Sequence, residues 1–253
     1  MTLFKKTNFL KGLALSAGLL GASVAQAADW SKTSVLLLDG SGYKSVPSNT
    51  EYDTQVLTLE HVDGWKYGSN FFFVDVTDPN SSDSSFYGEF SPSFSLGKMT
   101  GKDLSFGFVK DVSLTGTWEL GDVTNAKLFG LGFDLDVPGV PVAKVNFYQR
   151  IGESDFYSGE TSEAFQVTLV WMAPFELGPT KWVFEGYFDY ATAENNVGKK
   201  ENITSSPRLF IDAGALWGAP NQLYAGVEWS YWMNKYGSDI DESVPQAAIK
   251  WTF

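Results

Sequence analysis

The chain has 253 residues, no cysteine, one histidine, and 30 acidic against 18 basic side chains, for a formal charge of −12. The missing thiols exclude a disulfide framework and thiolate catalysis, the single histidine excludes a histidine-rich metal site, and the acidity excludes a nucleic-acid polymer as partner. Aromatic residues make up 16% of the chain and glycine contributes 25 positions, a composition suited to a barrel in which every second side chain meets lipid.

Lys5, Lys6 and Lys11 come first, then an apolar stretch from Leu13 to Ala22, then Ala25-Gln26-Ala27. That is the order of a cleavable export signal, so residues 1–27 are expected to be removed and residues 28–253 to form one barrel domain. The removed segment takes three Lys and no acid with it, leaving 15 basic residues against 30 acidic ones. Beyond it, no run reaches the ~18 apolar residues that a membrane-spanning helix needs.

Twelve runs of alternating apolar and polar residues follow, centred near positions 35, 58, 71, 90, 111, 131, 146, 168, 186, 211, 228 and 249. The first, Val35-Leu36-Leu37-Leu38, is apolar on both faces, so its orientation is open. The second puts His61 on the face of Leu57 and Leu59. In the fifth, Lys110 falls on the apolar parity between Phe108 and Val112, which a β-bulge would repair. Phe129, Leu131, Phe133 and Leu135 oppose Gly130, Gly132, Asp134 and Asp136. Trp182, Phe184, Phe188 and Tyr190 oppose Lys181, Glu185, Tyr187 and Asp189. The last run, Ala247 to Phe253, is again greasy on one side and wet on the other.

The expected connectors alternate in kind. Turns rich in Gly and Pro fall at 62–64, 97–103, 138–141, 173–180 and 218–221. Longer acidic loops fall at 39–53, 78–84, 119–125, 153–163, 191–204 and 235–242, and hold 16 Asp or Glu against 4 Lys. An even number of two-faced strands, short turns at one rim and long loops at the other predict an all-β fold: a closed antiparallel transmembrane β-barrel of about twelve strands with both termini periplasmic. Closure matters because an unpaired backbone amide in hydrocarbon costs several kcal/mol. Trp65, Trp118, Trp171, Trp182, Trp217, Trp229 and Trp251 fall mostly at the ends of the apolar bands, as interfacial girdles do.

Motifs for bond-making chemistry are weak. Gly97 to Asp103 lacks the spacing of a phosphate loop, has Asp103 where Ser or Thr should follow the Lys, and is expected to open no helix, and His61 has no serine and acid in a recognisable constellation. The D-x-D pairs Asp134/Asp136 and Asp239/Asp241 do not continue into a calcium loop. Asn202-Ile203-Thr204 matches a glycosylation triplet without consequence in a bacterial chain. No catalytic residue, metal ligand or cofactor is expected, and the chain does not read as an enzyme.

The side chains aimed inward carry the functional reading. Parity places Glu89, Asp134, Asp136, Lys144, Tyr148, Arg150, Lys181, Glu185, Tyr187 and Asp189 there. It also places Arg208, Phe210, Asp212, Tyr224, Glu228 and Lys250 inside, with Phe71 and Phe73 as further aromatic candidates. Aromatic rings in a wet bore stack flat solutes, at about 1–3 kcal/mol per base, while neighbouring charges hydrogen-bond sugar hydroxyls. Passage also requires that the solute be released.

Ser91-Pro92-Ser93-Phe94-Ser95-Leu96, followed by Thr100-Gly101-Lys102-Asp103-Leu104-Ser105-Phe106-Gly107, resembles Pro-Arg-Phe-Ser-Ile and Asp-Leu-Ser-Phe-Gly segments of the nucleoside-specific channel-forming outer-membrane family, Tsx together with the OmpK proteins. Leu131-Gly132-Phe133-Asp134 with Lys144 to Tyr148 is similar to a further family stretch. The resemblance implies a monomeric twelve-stranded barrel in the Gram-negative outer membrane. It would sit in outer-membrane lipid and lipopolysaccharide and let nucleosides and deoxynucleosides diffuse through a narrow lumen. It also implies the alternatives of a surface receptor for phage or host contact and of a general small-solute porin. Two positions depart from the family pattern: Ser93 stands where an arginine is expected, and Phe108 where proline usually follows Phe-Gly.

Overall fold

The computed structural model describes residues 28–154, 156 and 163–253, so the expected export signal and most of the expected loop 153–163 lie outside the described residues. Period-two patterning has become one antiparallel sheet. Its strands are β1 (Trp30–Lys44), β2 (Glu51–Trp65), β3 (Gly68–Thr77), β4 (Ser85–Ser95), β5 (Val109–Gly121), β6 (Thr124–Leu135) and β7 (Val142–Ser154). They continue with β8 (Ala164–Leu177), β9 (Thr180–Ala191), β10 (Asn202–Ser205), β11 (Arg208–Asp212), β12 (Leu223–Met233) and β13 (Glu242–Thr252). The first and last strands pair from Ser34 with Thr252 to Gly40 with Gln246, which closes the sheet and leaves no open edge among the described residues.

All twelve expected centres fall on strands, and a thirteenth strand, β10, lies almost wholly inside the expected loop 191–204. Ser206 and Pro207 separate β10 from β11, because proline has no N–H to give to a ladder. Both pieces lie between β9 and β12 and share one position, so the barrel has twelve positions built from thirteen strands. The bulge expected near Lys110 is present, as a register shift between Val109 and Asp111.

Several expected turns are strand instead. β2 runs through 62–64 to Trp65, β8 runs on to Leu177, and β5 and β6 take up most of 119–125, leaving a two-residue turn at 122–123. Ladder bonds do not depend on an apolar face, so strands continue past the greasy band into water, where charge and glycine give them the look of loops. Contrary to the expectation of no helix at 97–103, the connector at 96–108 contains a short one, α1 (Leu96–Thr100), whose first turn is capped by the Ser95 hydroxyl accepting from the Lys98 amide.

Turns 66–67, 96–108, 136–141, 178–179 and 213–222 share one rim, and the other connectors share the opposite one. The Asp29 amide donates to the Gly64 carbonyl and the Phe253 amide to the Thr33 carbonyl, so both described ends lie at the short-turn rim. Outward side chains such as Leu37, Phe129, Phe184 and Ile249 are exposed, while Leu36, Leu38, Phe210 and Val244 are buried inside. That inversion of the soluble rule is stable only if hydrocarbon surrounds the wall. It also settles the first strand: Leu36 and Leu38 point inward, Val35 and Leu37 outward. Exposed Trp118 and Trp229 lie toward the long-loop end, and Trp217 and Trp251 toward the short-turn end.

Candidate functional site: an ion-paired lumen

Cross-strand register assembles the centre of the bore. Arg208 of β11 stands opposite Glu228 of β12 and Glu185 of β9. Its Nη1 also reaches Glu60 of β2, a strand that does not border β11, so this ion pair crosses the lumen. Nε of Arg208 binds Glu228. Lys250 lies 2.6 Å from Glu185 and 3.5 Å from Glu60. The Gln246 amide donates to Glu228 at 3.1 Å and accepts from the Tyr43 hydroxyl. Two cations therefore hold three carboxylates in a cross-bore lattice, where low dielectric strengthens each contact.

Beside this lattice sits an apolar knot. Phe210 is 1% exposed and packs among Leu36, Leu38, Val56 and Ala248, with Tyr224 against the cluster. The Phe210 and Tyr224 rings meet edge to face with centroids 6.3 Å apart, and the Lys250 ammonium lies 5.9 Å from the Phe210 centroid. Phe71 and Phe73 form a second aromatic group, with Tyr87 next to Phe73.

The opposite wall has its own ion pair. Arg150 of β7 forks onto Glu119 of β5, at 2.6 Å for one of the two bonds, and donates to Gln166 at 3.1 Å. Tyr87 donates to Glu89 at 2.7 Å, and the hydroxyls of Tyr148 and Thr115 are 3.1 Å apart. Asp189 lies opposite Thr168 and Tyr187 opposite Val170 on the neighbouring strand. Nearer the short-turn mouth, Lys144 pairs with Asp134 at 3.0 Å. Asp212 is a turn-former: its two carboxylate oxygens accept the amides of Ala215 and Asn221.

The structure thus brings Glu185, Arg208, Phe210, Tyr224 and Glu228 to one place, and Glu89, Tyr148 and Arg150 to the facing wall. Tyr148 and Phe210 belong to separate packed clusters. Sequence reasoning missed Glu60, Glu119 and Gln166. Glu60 carried a usable signal, since it alternates with Leu59 and His61. Glu119 was hidden by its assignment to a loop.

His61 faces outward with Leu57 and Leu59. It stacks on Phe72, shares a 2.8 Å hydrogen bond with the Thr33 hydroxyl, and has Asp63 3.5 Å from its other nitrogen. Nucleophile, base and acid types are present there, but the adjoining strand amides are committed to the ladders and cannot form an oxyanion hole.

At the long-loop rim four acidic residues, Glu194, Asp239, Asp241 and Glu242, are pinned. Lys235 binds Glu242 at 2.6 Å and the Lys44 carbonyl at 2.9 Å, Lys199 binds Glu194 at 2.6 Å, and Lys200 binds Asp239. The Asp241 carboxylate accepts the Asn234 amide. The Tyr236 ring lies 4.5 Å from Trp232 and 4.8 Å from Phe156, joining two loops. Burial, helped by Tyr52 and Glu242, pushes its phenol from 10.0 up to about 12. The folded loops therefore hold this proton longer than an unfolded chain does, and their packing loses stability as pH rises from 10 toward 12. Trp232 fluorescence should change over that window in the native chain and stay flat in Tyr236→Phe.

A closed antiparallel barrel with an apolar exterior, and with charges and aromatic rings meeting across its interior, defines the chain as an outer-membrane channel protein. It belongs to the family described as "Nucleoside-specific channel-forming protein, Tsx", whose model matches residues 27–253. Among curated proteins it is similar to outer membrane protein OmpK of Vibrio parahaemolyticus, at 30% identity over 147 residues, 55% of this chain and 52% of that protein. It is also similar to OmpK of V. parahaemolyticus serotype O3:K6, at 31% identity over 156 residues, 55% of this chain and 54% of that one. The matched region thus spans about half the length of these relatives. Among solved structures, a KdgM porin in complex with disordered oligogalacturonate matches with a TM-score of 0.50 and 10% identity, covering 87% of this chain and 99% of that one. That likeness concerns the fold.

Proposed function

We infer that the barrel lets nucleosides and deoxynucleosides diffuse passively across the outer membrane, without covalent chemistry. The observation that carries this reading is the meeting of the Arg208–Lys250 lattice with the Phe210–Tyr224 pair in one stretch of bore. Phe210 is itself enclosed and braces Tyr224, whose half-buried ring suits a flat base, and alternating carboxylates and cations suit ribose hydroxyls. The family description, which names nucleosides, supports the same assignment. Glu89, Asp134, Lys144, Tyr148, Arg150 and Tyr187 line the remaining path, with Phe71 and Phe73 on the parity of Glu60. Liposomes carrying the protein should swell faster with thymidine or adenosine than with a sugar of equal size. Equal rates would reduce the barrel to a general pore.

A receptor role for the outer loops, toward phage or host, has one observation in its favour: the ion pairs that hold loops 192–201 and 234–241 in a fixed surface. Trimming 192–201 should then abolish partner binding while thymidine flux persists.

A further inference from the structure

The short-turn mouth contains a cavity of about 170 Å³ that no part of the central lattice uses. One side is the Trp30 indole, 54% exposed. The ring stands directly on Gly64, where an added Cβ would lie 2.3 Å from the indole nitrogen, so glycine is what allows the platform. Ser69, Ser93 and Ser113 line the cavity, the Ser113 hydroxyl donating to the Gly132 carbonyl at 3.3 Å.

Charged groups complete the cavity in balance. Lys144 and Asp134 form a 3.0 Å pair, yet each side chain is about a third exposed, at 31% and 35%, and so keeps donors and acceptors turned to the cavity. Lys98, held at the rim by the capped helix α1, has no acidic partner among the described residues. Asp111 is already engaged, accepting from the Ser95 hydroxyl and from the amides of Gly97 and Val112.

We propose that this vestibule is a separate subsite for one small, uncharged, hydroxyl-rich ring: a pentose, either free or as the sugar end of a nucleoside. An aromatic plate accepts the C–H face of such a ring. Serine hydroxyls, an ammonium and a carboxylate side by side meet its hydroxyls as both donors and acceptors. Two lysines against two aspartates give no net pull on an ion. The volume lies below the ~300 Å³ at which pockets begin to take drug-sized ligands, which suits a single ring. The subsite deepens the nucleoside reading of the lumen, on which its biological sense rests, but its occupancy can be measured without any flux.

The test is a saturation-transfer NMR titration of the folded barrel in detergent with D-ribose, thymidine and sodium D-glucuronate. Heat-modifiable gel migration confirms folding of each variant. D-ribose and the sugar protons of thymidine should receive saturation, and D-glucuronate should receive much less. Trp30→Ala and Asp134→Asn should each raise the half-saturating ribose concentration about tenfold, the scale of one lost contact. Asp134→Asn leaves the wall packing alone and serves if Trp30→Ala does not fold. Unchanged ribose binding in a folded variant, or tighter binding of D-glucuronate than of D-ribose, overturns the subsite. Saturation confined to the thymidine base protons would also overturn it. Ribose bound at Trp30 in a barrel without thymidine flux would leave the subsite standing and remove the nucleoside reading.

Discussion

Replacing Arg208 by Met should lower barrel stability by about 3–5 kcal/mol, the usual loss when one partner of a buried ion pair is removed. The guanidinium is 16% exposed and answers Glu60, Glu228 and, at 3.9 Å, Glu185. Without it, three carboxylates face Lys250 alone in a poorly hydrated space. Arg208→Lys should fall between the two, because an ammonium cannot fork onto two carboxylates from a planar group. Urea unfolding from lipid vesicles, followed by tryptophan fluorescence, gives the number. A loss below 1 kcal/mol would mean that water already screens the lattice, as it does for surface pairs.

Phe210→Ala should raise single-channel conductance severalfold and blunt discrimination between thymidine and a sugar of equal size. The ring is almost fully enclosed by Leu36, Leu38, Val56 and Ala248, all from walls adjoining or facing it across the apolar side of the bore. Removing a ring from such a site costs about 3–5 kcal/mol when the hole stays empty. Here the hole borders charged, hydratable groups, so water entering it should moderate the loss of stability while widening the path. Planar-bilayer recordings decide the matter. Unchanged conductance would place the narrowest point at the Arg208 lattice or beneath the outer loops.

The barrel was legible because each strand repeats one instruction, lipid on odd positions and lumen on even ones or the reverse, and because Lys110 broke parity where a bulge was needed. Its rims were harder to read. Residues 62–64 and 119–125 look like loops since they leave the greasy band before they leave the ladder. Pro207 was a visible signal for the break between β10 and β11, but β10 itself lay at the end of a stretch, 191–204, that reads as an acidic loop. Inward direction could be read from parity. Pairing across the bore could not: Glu60 and Arg208 meet only because closure brings their strands face to face. The pinned outer loops were illegible for the same reason, since Lys200 and Asp239 belong to different connectors.

The pairing of β1 with β13 has a consequence for biogenesis. Ser34 waits for Thr252, so the seam joins the first and last strands of the barrel and is among its most non-local contacts. No prefix of the polypeptide can complete the cylinder, and every truncated product displays two unsatisfied margins that invite aggregation. Assembly of this protein is therefore all-or-nothing with respect to its final eleven-residue strand, and a nonsense mutation just before Glu242 should be as damaging as one near the start.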